Sequence, residues 1–223
     1  MVNSYVYGMV SVEWLGHSSF RISTQGKIIY IDPYIIDDNA FRADIIFVTH
    51  EHHDHCAVDN IKKLLKETTI VVAPQSCLTK LAFVPRQNLK LLGPEDVTVF
   101  GDVQIKTIPA YNVNKFRSLS IPYHPKNYGF GVVFTLAGVK VYHAGDTDVV
   151  PEMHDLANYN IDIALLPVGG TYTMDAKEAA QAVQIIKPKV AIPMHWGANI
   201  VGTQEDANKF KELVGSTCEV VIL

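Results

Sequence analysis

The chain has 223 residues, of which 48% are hydrophobic and 19% are charged, so it is long enough to bury a core without disulfide bonds. Its formal net charge of −4 excludes a global positive field that would gather nucleic acid. Three cysteines with no C-x-x-C pair exclude a disulfide framework, and no apolar run approaches the roughly 20 residues that span a bilayer. The first residues show no basic segment followed by an apolar one, so we expect a cytoplasmic protein.

Strands dominate the first half of the chain. Alternating hydrophobicity predicts strands over residues 9–15 and 20–23, and apolar runs predict buried strands over 28–31, 45–48 and 70–73. Ile61, Leu64 and Leu65 recur at helical spacing among lysines and predict an amphipathic helix. A short helix over 76–82 and a hairpin of strands 97–99 and 103–108 follow.

The second half mixes strands with helices. Residues 109–128 have no periodicity and predict a loop, which at this length is often functional. The remaining predictions are a hairpin over 130–136 and 139–143, a short helix over 149–158, a strand over 161–166, a helix capped by Asp175, a strand over 190–193, a helix over 204–214 and a strand over 219–223. This order favours two sheets packed face to face with helices outside them.

One histidine-rich segment directly follows the predicted strand 45–48. It is Thr49-His50-Glu51-His52-His53-Asp54-His55. Imidazoles and carboxylates at the end of a buried strand are well placed to bind zinc, manganese or iron. The alternative is a polar loop that happens to be rich in histidine.

Further polar residues follow other predicted strands. Asp146 comes shortly after strand 139–143, and His195 comes shortly after strand 190–193. Because strand ends at one edge of a sandwich can converge, these positions predict a shared site with the histidine-rich segment.

Several motifs along nearly the whole chain resemble those of the metallo-β-lactamase superfamily, in particular its small bacterial and archaeal proteins known only as metal-dependent hydrolases. They are His50-x-His52-x-Asp54-His55, Trp14-Leu15-Gly16-His17-Ser18, Ile31-Asp32-Pro33, His143-Ala144-Gly145-Asp146-Thr147, Gly169-Gly170-Thr171-Tyr172-Thr173-Met174 and Pro193-Met194-His195-Trp196-Gly197. The resemblance implies an α/β fold, a four-layer αββα sandwich, as a single domain over residues 1–223. It also implies two metals at one edge between the sheets.

The resemblance also implies a ligand set. His50 and His52 would bind one metal, and Asp54, His55 and His195 would bind the second, with Asp146 bridging the two. The chain departs from the family at 109–112, where many relatives carry the third histidine of the first metal. We expect His124 to take that place, because it is the only histidine between His55 and His143 and precedes a strand as the family histidine does. The alternatives are a solvated His124 and a weakly held first metal.

The implied cofactors are two divalent metal ions. Zinc is the first choice from the ligand type, and manganese, iron and nickel stay open. A hydroxide shared by the two metals would attack the substrate, with Asp54 orienting it. His17, Tyr111 or a bound water would protonate the leaving group.

The expected function is hydrolysis of an ester, lactone, amide or thioester. The alternatives are a phosphodiesterase or nuclease, and a non-hydrolytic redox or metal-binding protein. We expect a small-molecule substrate, neither membrane nor nucleic acid as a partner, and leave a homo-oligomer open. Lys115, Arg117 and Lys126 lie near His124 and either bind an anionic group of the substrate or are simply solvated.

Overall fold

The computed structural model describes residues 4–223, whose strands form two seven-stranded sheets and one small hairpin. The first sheet contains, in spatial order, β1 (Ser4–Tyr7), β2 (Val10–Gly16), β3 (Ser19–Ser23), β4 (Ile28–Ile31), β5 (Ile45–Phe47), β6 (Ile70–Ala73) and β7 (Leu89–Leu91). The other strands are β8 (Val97–Phe100), β9 (Val103–Ala110), β10 (Phe116–Ser118), β11 (Ile121–Pro122), β12 (Gly129–Leu136), β13 (Val139–His143), β14 (Ile163–Pro167), β15 (Val190–Met194) and β16 (Glu219–Val220). The second sheet has the order β16-β15-β14-β13-β12-β9-β8, and β10 pairs with β11 alone.

Both large sheets are mixed. Strands β1 to β4 are joined antiparallel, whereas β4, β5, β6 and β7 run parallel. In the second sheet β8, β9, β12 and β13 are antiparallel, and β13, β14, β15 and β16 are parallel. The carboxyl ends of parallel strands lie at the same edge of a sheet, so the loops that follow them are brought together there.

Helices cover the outer faces of the two sheets. The helices are α1 (Val58–Leu64), α2 (Met153–Leu156), α3 (Ala176–Ile186) and α4 (Gln204–Val214), with a 3₁₀ turn at Gln75–Cys77. Ile61 and Leu64 of α1 pack in a cluster with Ile46 and Val71 of the first sheet. Helices α3 and α4 bury small and aromatic side chains against the second sheet. The result is the predicted four-layer αββα arrangement.

The main core lies between the sheets. Phe47 of β5 stacks on Phe134 of β12, with ring centroids 5.5 Å apart, and both side chains are fully buried. Burying a side chain of this size contributes about 1.5–3 kcal/mol. These contacts fix the first sheet, which carries the histidine-rich segment, against the second sheet, which carries Asp146 and His195.

Local signals set the limits of α3. The carboxylate of Asp175 accepts a hydrogen bond from the backbone nitrogen of Glu178 at 2.8 Å, and the Glu178 carboxylate accepts one from the nitrogen of Asp175 at 2.9 Å. This capping box satisfies two amides at the start of the helix. Lys187 ends the helix in a left-handed conformation, φ 55°, immediately before Pro188.

Several predicted elements are confirmed, and some are wrong in extent. Strands 28–31 and 70–73 and helix 204–214 have the predicted bounds. The predicted loop 109–128 contains the hairpin of β10 and β11, which is too short to show a period. Predicted helix 149–158 shrinks to α2, because Pro151 lacks the amide that a helix interior needs.

The other differences are at edges and in short segments. Strand β7 was not predicted, because its three residues are half-buried at a sheet edge and show no clear pattern. The predicted helix 76–82 is only the 3₁₀ turn, and the predicted strand 219–223 is only β16. Of the helices in residues 4–223, the longest have 11 residues, and none is long and apolar enough to cross a membrane.

Candidate metal centre

The candidate ligands come together between the two sheets. His50, His52, Asp54 and His55 follow β5, His124 precedes β12, Asp146 follows β13 and His195 follows β15. All but His52 are buried, so their polar atoms face one another and not bulk water. The structure therefore brings together all seven residues that the sequence predicts as ligands.

Three histidines form the first cluster. The Nε2 atom of His50 lies 3.0 Å from Nδ1 of His52, and Nε2 of His124 lies 3.2 Å from the same Nδ1 atom. A neutral imidazole has one donor nitrogen and one acceptor nitrogen, so at most two of these three nitrogens can share a two-centre hydrogen bond at one time. Converging nitrogen lone pairs of this kind suit a cation. His124 lies where the sequence predicts the third histidine.

The second cluster contains Asp54, His55, His195 and His17. Their candidate ligand atoms all lie within 4.8 Å of one another. Asp54 Oδ2 is 3.7 Å from His55 Nε2 and 3.3 Å from His17 Nε2. The mixture of nitrogen and carboxylate donors is one that zinc and other divalent transition metals bind.

Asp146 lies between the two clusters. Its Oδ2 atom is 3.3 Å from Nε2 of His124 and 3.1 Å from Nε2 of His195, whereas Oδ1 is 3.3 Å from Nε2 of His55. One carboxylate therefore contacts histidines of both groups.

Two polar side chains orient the histidines from behind. Asp32 accepts hydrogen bonds from Thr49 and lies 2.6 Å from Nδ1 of His55. Asn112 Oδ1 lies 2.9 Å from Nδ1 of His124. Each oxygen accepts a hydrogen bond from the Nδ1 proton, so Nε2 of each ring is the nitrogen directed toward the cluster.

The role of Asn112 was not predicted from the sequence. Asn112 lies in the stretch 109–112, where many relatives carry a histidine and this chain does not. That missing histidine is the feature of the sequence that could have drawn attention to Asn112. Asp32 belongs to the motif Ile31-Asp32-Pro33, and the structure shows it fully buried against His55.

Burial and charge keep three of the ligands, namely His50, His124 and Asp146, in the state that binds metal. Burial lowers the pKa of His124 to about 4 and holds the pKa of His50 well below its usual range. Burial alone would raise the pKa of Asp146, but His195 and His55 outweigh it and hold that pKa well below its usual range. His50 and His124 are therefore neutral and Asp146 is ionised near neutral pH.

Two buried donor atoms that lack a normal hydrogen bond also indicate a metal site. His55 Nε2 and Asp146 Oδ1 are both buried and lie 3.3 Å apart, but neither makes a hydrogen bond of normal geometry within residues 4–223. Burying an unpaired polar atom costs about 1–3 kcal/mol, more for a charged group. A divalent cation held by these atoms and their neighbours would satisfy both, so the residues present fit the metals that the sequence predicts.

His17 is held rigidly beside the second cluster. Its backbone is left-handed, φ 55°, and its carbonyl accepts hydrogen bonds from the Trp14 indole at 2.8 Å and the His195 amide at 2.9 Å. His195 is also left-handed, φ 58°. Non-glycine residues in this region are uncommon and cluster at functional sites. The ring of His17 lies 4.2 Å from that of His195, facing Asp54.

Tyr111 is not brought into the cluster. Its hydroxyl donates a hydrogen bond to Glu152 at 3.0 Å, and the ammonium of Lys126 lies 4.8 Å from the centre of its ring. The predicted role of Tyr111 as proton donor is therefore not supported by its position, whereas His17 is next to the ligands.

Sequence comparison identifies the family. A model of the beta-lactamase superfamily domain matches residues 11–195, a range that contains every candidate ligand. The chain belongs to the metallo-β-lactamase superfamily. The resemblance expected from the motifs is thus confirmed.

Individual relatives match this chain over nearly its whole length as well as in sequence. It is 38% identical to a metal-dependent hydrolase of Staphylothermus marinus and 35% identical to one of Thermococcus onnurineus, with 96% of each chain covered in both comparisons. A crystal structure from Parabacteroides distasonis, named only as a candidate metal-dependent hydrolase, superposes with a TM-score of 0.85 at 30% identity, covering 100% of this chain and 98% of that one. This chain is accordingly a metal-dependent hydrolase with the metallo-β-lactamase fold.

Proposed function

We propose that the protein binds two divalent ions, zinc by first choice, and hydrolyses a small ester, lactone, amide or thioester. The observation that carries the proposal is the position of Asp146, whose two oxygens lie within 3.3 Å of His124 and His55. A carboxylate between two sets of nitrogen donors is suited to bridging a pair of metals. The first ion would be held by His50, His52 and His124, and the second by Asp54, His55 and His195.

The metals and the chain have separate tasks. Bound ions supply Lewis-acid polarisation of the scissile group and a water of lowered pKa. Asp54, an ionised carboxylate, accepts a hydrogen bond from the attacking water and so orients it. Burial alone would raise the pKa of Asp54, but His17 and His55 outweigh it and keep that pKa below its usual range, so the carboxylate stays available.

His17 is the proposed proton donor to the leaving group. Burial is the main cause that lowers its pKa, so the ring is neutral near pH 7 and carries one proton. The Nε2 atom is 3.3 Å from Asp54 Oδ2, close enough for a proton taken from water to pass between the two side chains. His17 then returns that proton to the leaving oxygen, nitrogen or sulfur, so the proton count balances.

Metal analysis tests the proposal most directly. Wild-type protein and the variants His124→Ala and Asp146→Ala should be purified without chelator or a nickel-loaded tag, and their metal content measured by elemental analysis. We expect two equivalents in the wild type and a loss of at least one in each variant. His154→Ala is the matched control, because His154 is exposed on α2.

The outcome decides between hypotheses. Unchanged content in Asp146→Ala would remove the bridging role, and a metal-free wild type would contradict the binuclear site. Esters, lactones, thioesters and phosphodiesters should then be screened with the loaded protein. Turnover of phosphodiesters alone would replace carbonyl hydrolysis by the phosphodiesterase alternative.

A further inference from the structure

The segment between Asn112 and His124 carries cations with very different surroundings. Lys115 is neutralised: its ammonium lies 2.6 Å from Glu178 Oε2 and 3.6 Å from Asp148 Oδ1. Arg117 lies on β10 and is exposed, and no carboxylate of residues 4–223 lies within 4.0 Å of its guanidinium. The charge of Arg117 is therefore free to meet an anion from solution.

Lys126, just beyond His124, is also engaged. Its ammonium lies 2.8 Å from Glu152 Oε1, which fixes it over the Tyr111 ring. The sequence suggests three cationic side chains that could bind an anionic substrate. Two of them, Lys115 and Lys126, are paired with acidic residues, and Arg117 is the one without such a pair in residues 4–223.

Aromatic contacts connect Arg117 to the metal centre. Its guanidinium lies 5.7 Å from the centre of the Tyr123 ring, and Tyr123 packs edge-on against Tyr172 at 4.8 Å. The carbonyl of Tyr172 accepts a hydrogen bond from Asn112, the residue that orients His124. The hairpin that carries Arg117 is therefore joined to the first cluster of histidines.

The chain itself places Arg117 beside the first cluster. Tyr123, whose ring the Arg117 guanidinium approaches, directly precedes His124. The backbone nitrogen of Asn112 also donates a hydrogen bond to the carbonyl of His124 at 2.9 Å. Arg117 therefore lies on the His124 side of the first cluster.

We propose that Arg117 binds an anionic group of the substrate, a carboxylate or a phosphate, while the scissile bond lies at the metal centre. The planar guanidinium matches both anions through two parallel hydrogen bonds. The inference rests on the proposed function, because it requires metals in the two clusters. It makes the substrate a short molecule with a hydrolysable group at one position and an oxyanion at another.

Binding of metal-directed probes tests this inference without turnover. Zinc-loaded protein should be titrated calorimetrically with three hydroxamates of equal length, namely butanohydroxamate, succinate monohydroxamate and 3-phosphonopropanohydroxamate. We expect the wild type to bind one or both anionic probes about tenfold more tightly than the neutral probe. The carboxylate and phosphonate probes distinguish the two anions.

Variants assign that preference to one side chain. In Arg117→Gln the preference should disappear while the affinity for butanohydroxamate stays the same, which also verifies that the variant is folded. Arg117→Lys should keep part of the preference, since the charge remains without the planar fork. Arg86→Gln is the matched control, because Arg86 is an exposed arginine that makes no ion pair within residues 4–223.

The possible results separate two failures. If the wild type binds the neutral hydroxamate but shows no preference for the anions, or if Arg117→Gln keeps the preference, the role of Arg117 is overturned and the metal site stands. If the wild type binds none of the three probes, the metal centre itself fails, and the inference fails with it.

Discussion

The amide oxygen of Asn112 lies 2.9 Å from Nδ1 of His124 and 2.8 Å from its backbone nitrogen. The same amide donates its own protons to Asp148 and to the carbonyl of Tyr172, so its orientation is fixed. Nδ1 of His124 must therefore carry the proton, and Nε2 must present the lone pair to the cluster. A residue outside the family's histidine pattern thus determines which nitrogen of a candidate ligand can bind metal.

Replacing Asn112 should weaken the first metal. Asn112→Leu removes the acceptor that fixes the His124 ring, and we expect a loss of about 10- to 100-fold in affinity for one of the two ions. Competition with a chromophoric chelator measures the two affinities separately. Equal affinities in variant and wild type would show that the His124 ring needs no such support.

Replacing Asp32 should weaken the second metal. Asp32→Ala leaves the Thr49 amide and hydroxyl and the Nδ1 proton of His55 without their acceptor. We expect a similar loss of about 10- to 100-fold in metal affinity, together with about 1–3 kcal/mol of the free energy of unfolding. Chelator competition and urea denaturation measure the two effects. Weakening of the first ion alone would contradict the assignment of His55 to the second.

The position of His17 predicts an effect on turnover. His17→Gln should lower kcat by about 10²- to 10⁴-fold, as expected for loss of a general acid, while both metals are retained. Once a substrate is found, kcat and metal content should be measured on the same preparation. Loss of one metal equivalent would instead make His17 a ligand of the second ion, since its atoms lie within 4.8 Å of the others there.

Asp162 predicts a dependence of stability on pH away from the metal centre. Its carboxylate accepts hydrogen bonds from the Lys140 amide at 2.8 Å and from the Lys189 ammonium at 2.7 Å. Burial would raise the pKa of Asp162, but these contacts outweigh it and lower that pKa below 3.8. The ionised carboxylate of Asp162 therefore contributes fully to the free energy of unfolding above about pH 4. This contribution is lost as the pH falls through the pKa that Asp162 has in the folded state.

The variant Asp162→Asn isolates this contribution. We expect it to lower the free energy of unfolding by about 1–2 kcal/mol at pH 7, and the difference from the wild type should shrink below about pH 4. Urea denaturation at a series of pH values measures it. A difference that persists unchanged at pH 3 would mean that the carboxylate charge is not its origin.

Much of the fold followed from local patterns. The bounds of β4, β6 and α4 agree with the sequence predictions, because apolar runs, turn residues and helical spacing act over a few neighbours. The hairpin of β10 and β11 was missed, because two strands of three and two residues leave no period to detect. Strand β7 was missed for the same reason.

The sequence alone determined the kind of site, namely which side chains can bind metal and that they follow strands. The spacing of His50, His52, Asp54 and His55 after a buried strand is local, so it can be recognised without a structure. The tertiary structure alone decided which groups each side chain meets. Lys115 pairs with Glu178, 63 positions away, whereas Arg117 two residues later stays free. Such pairings arise from the packing of the two sheets and their loops, which no local pattern records.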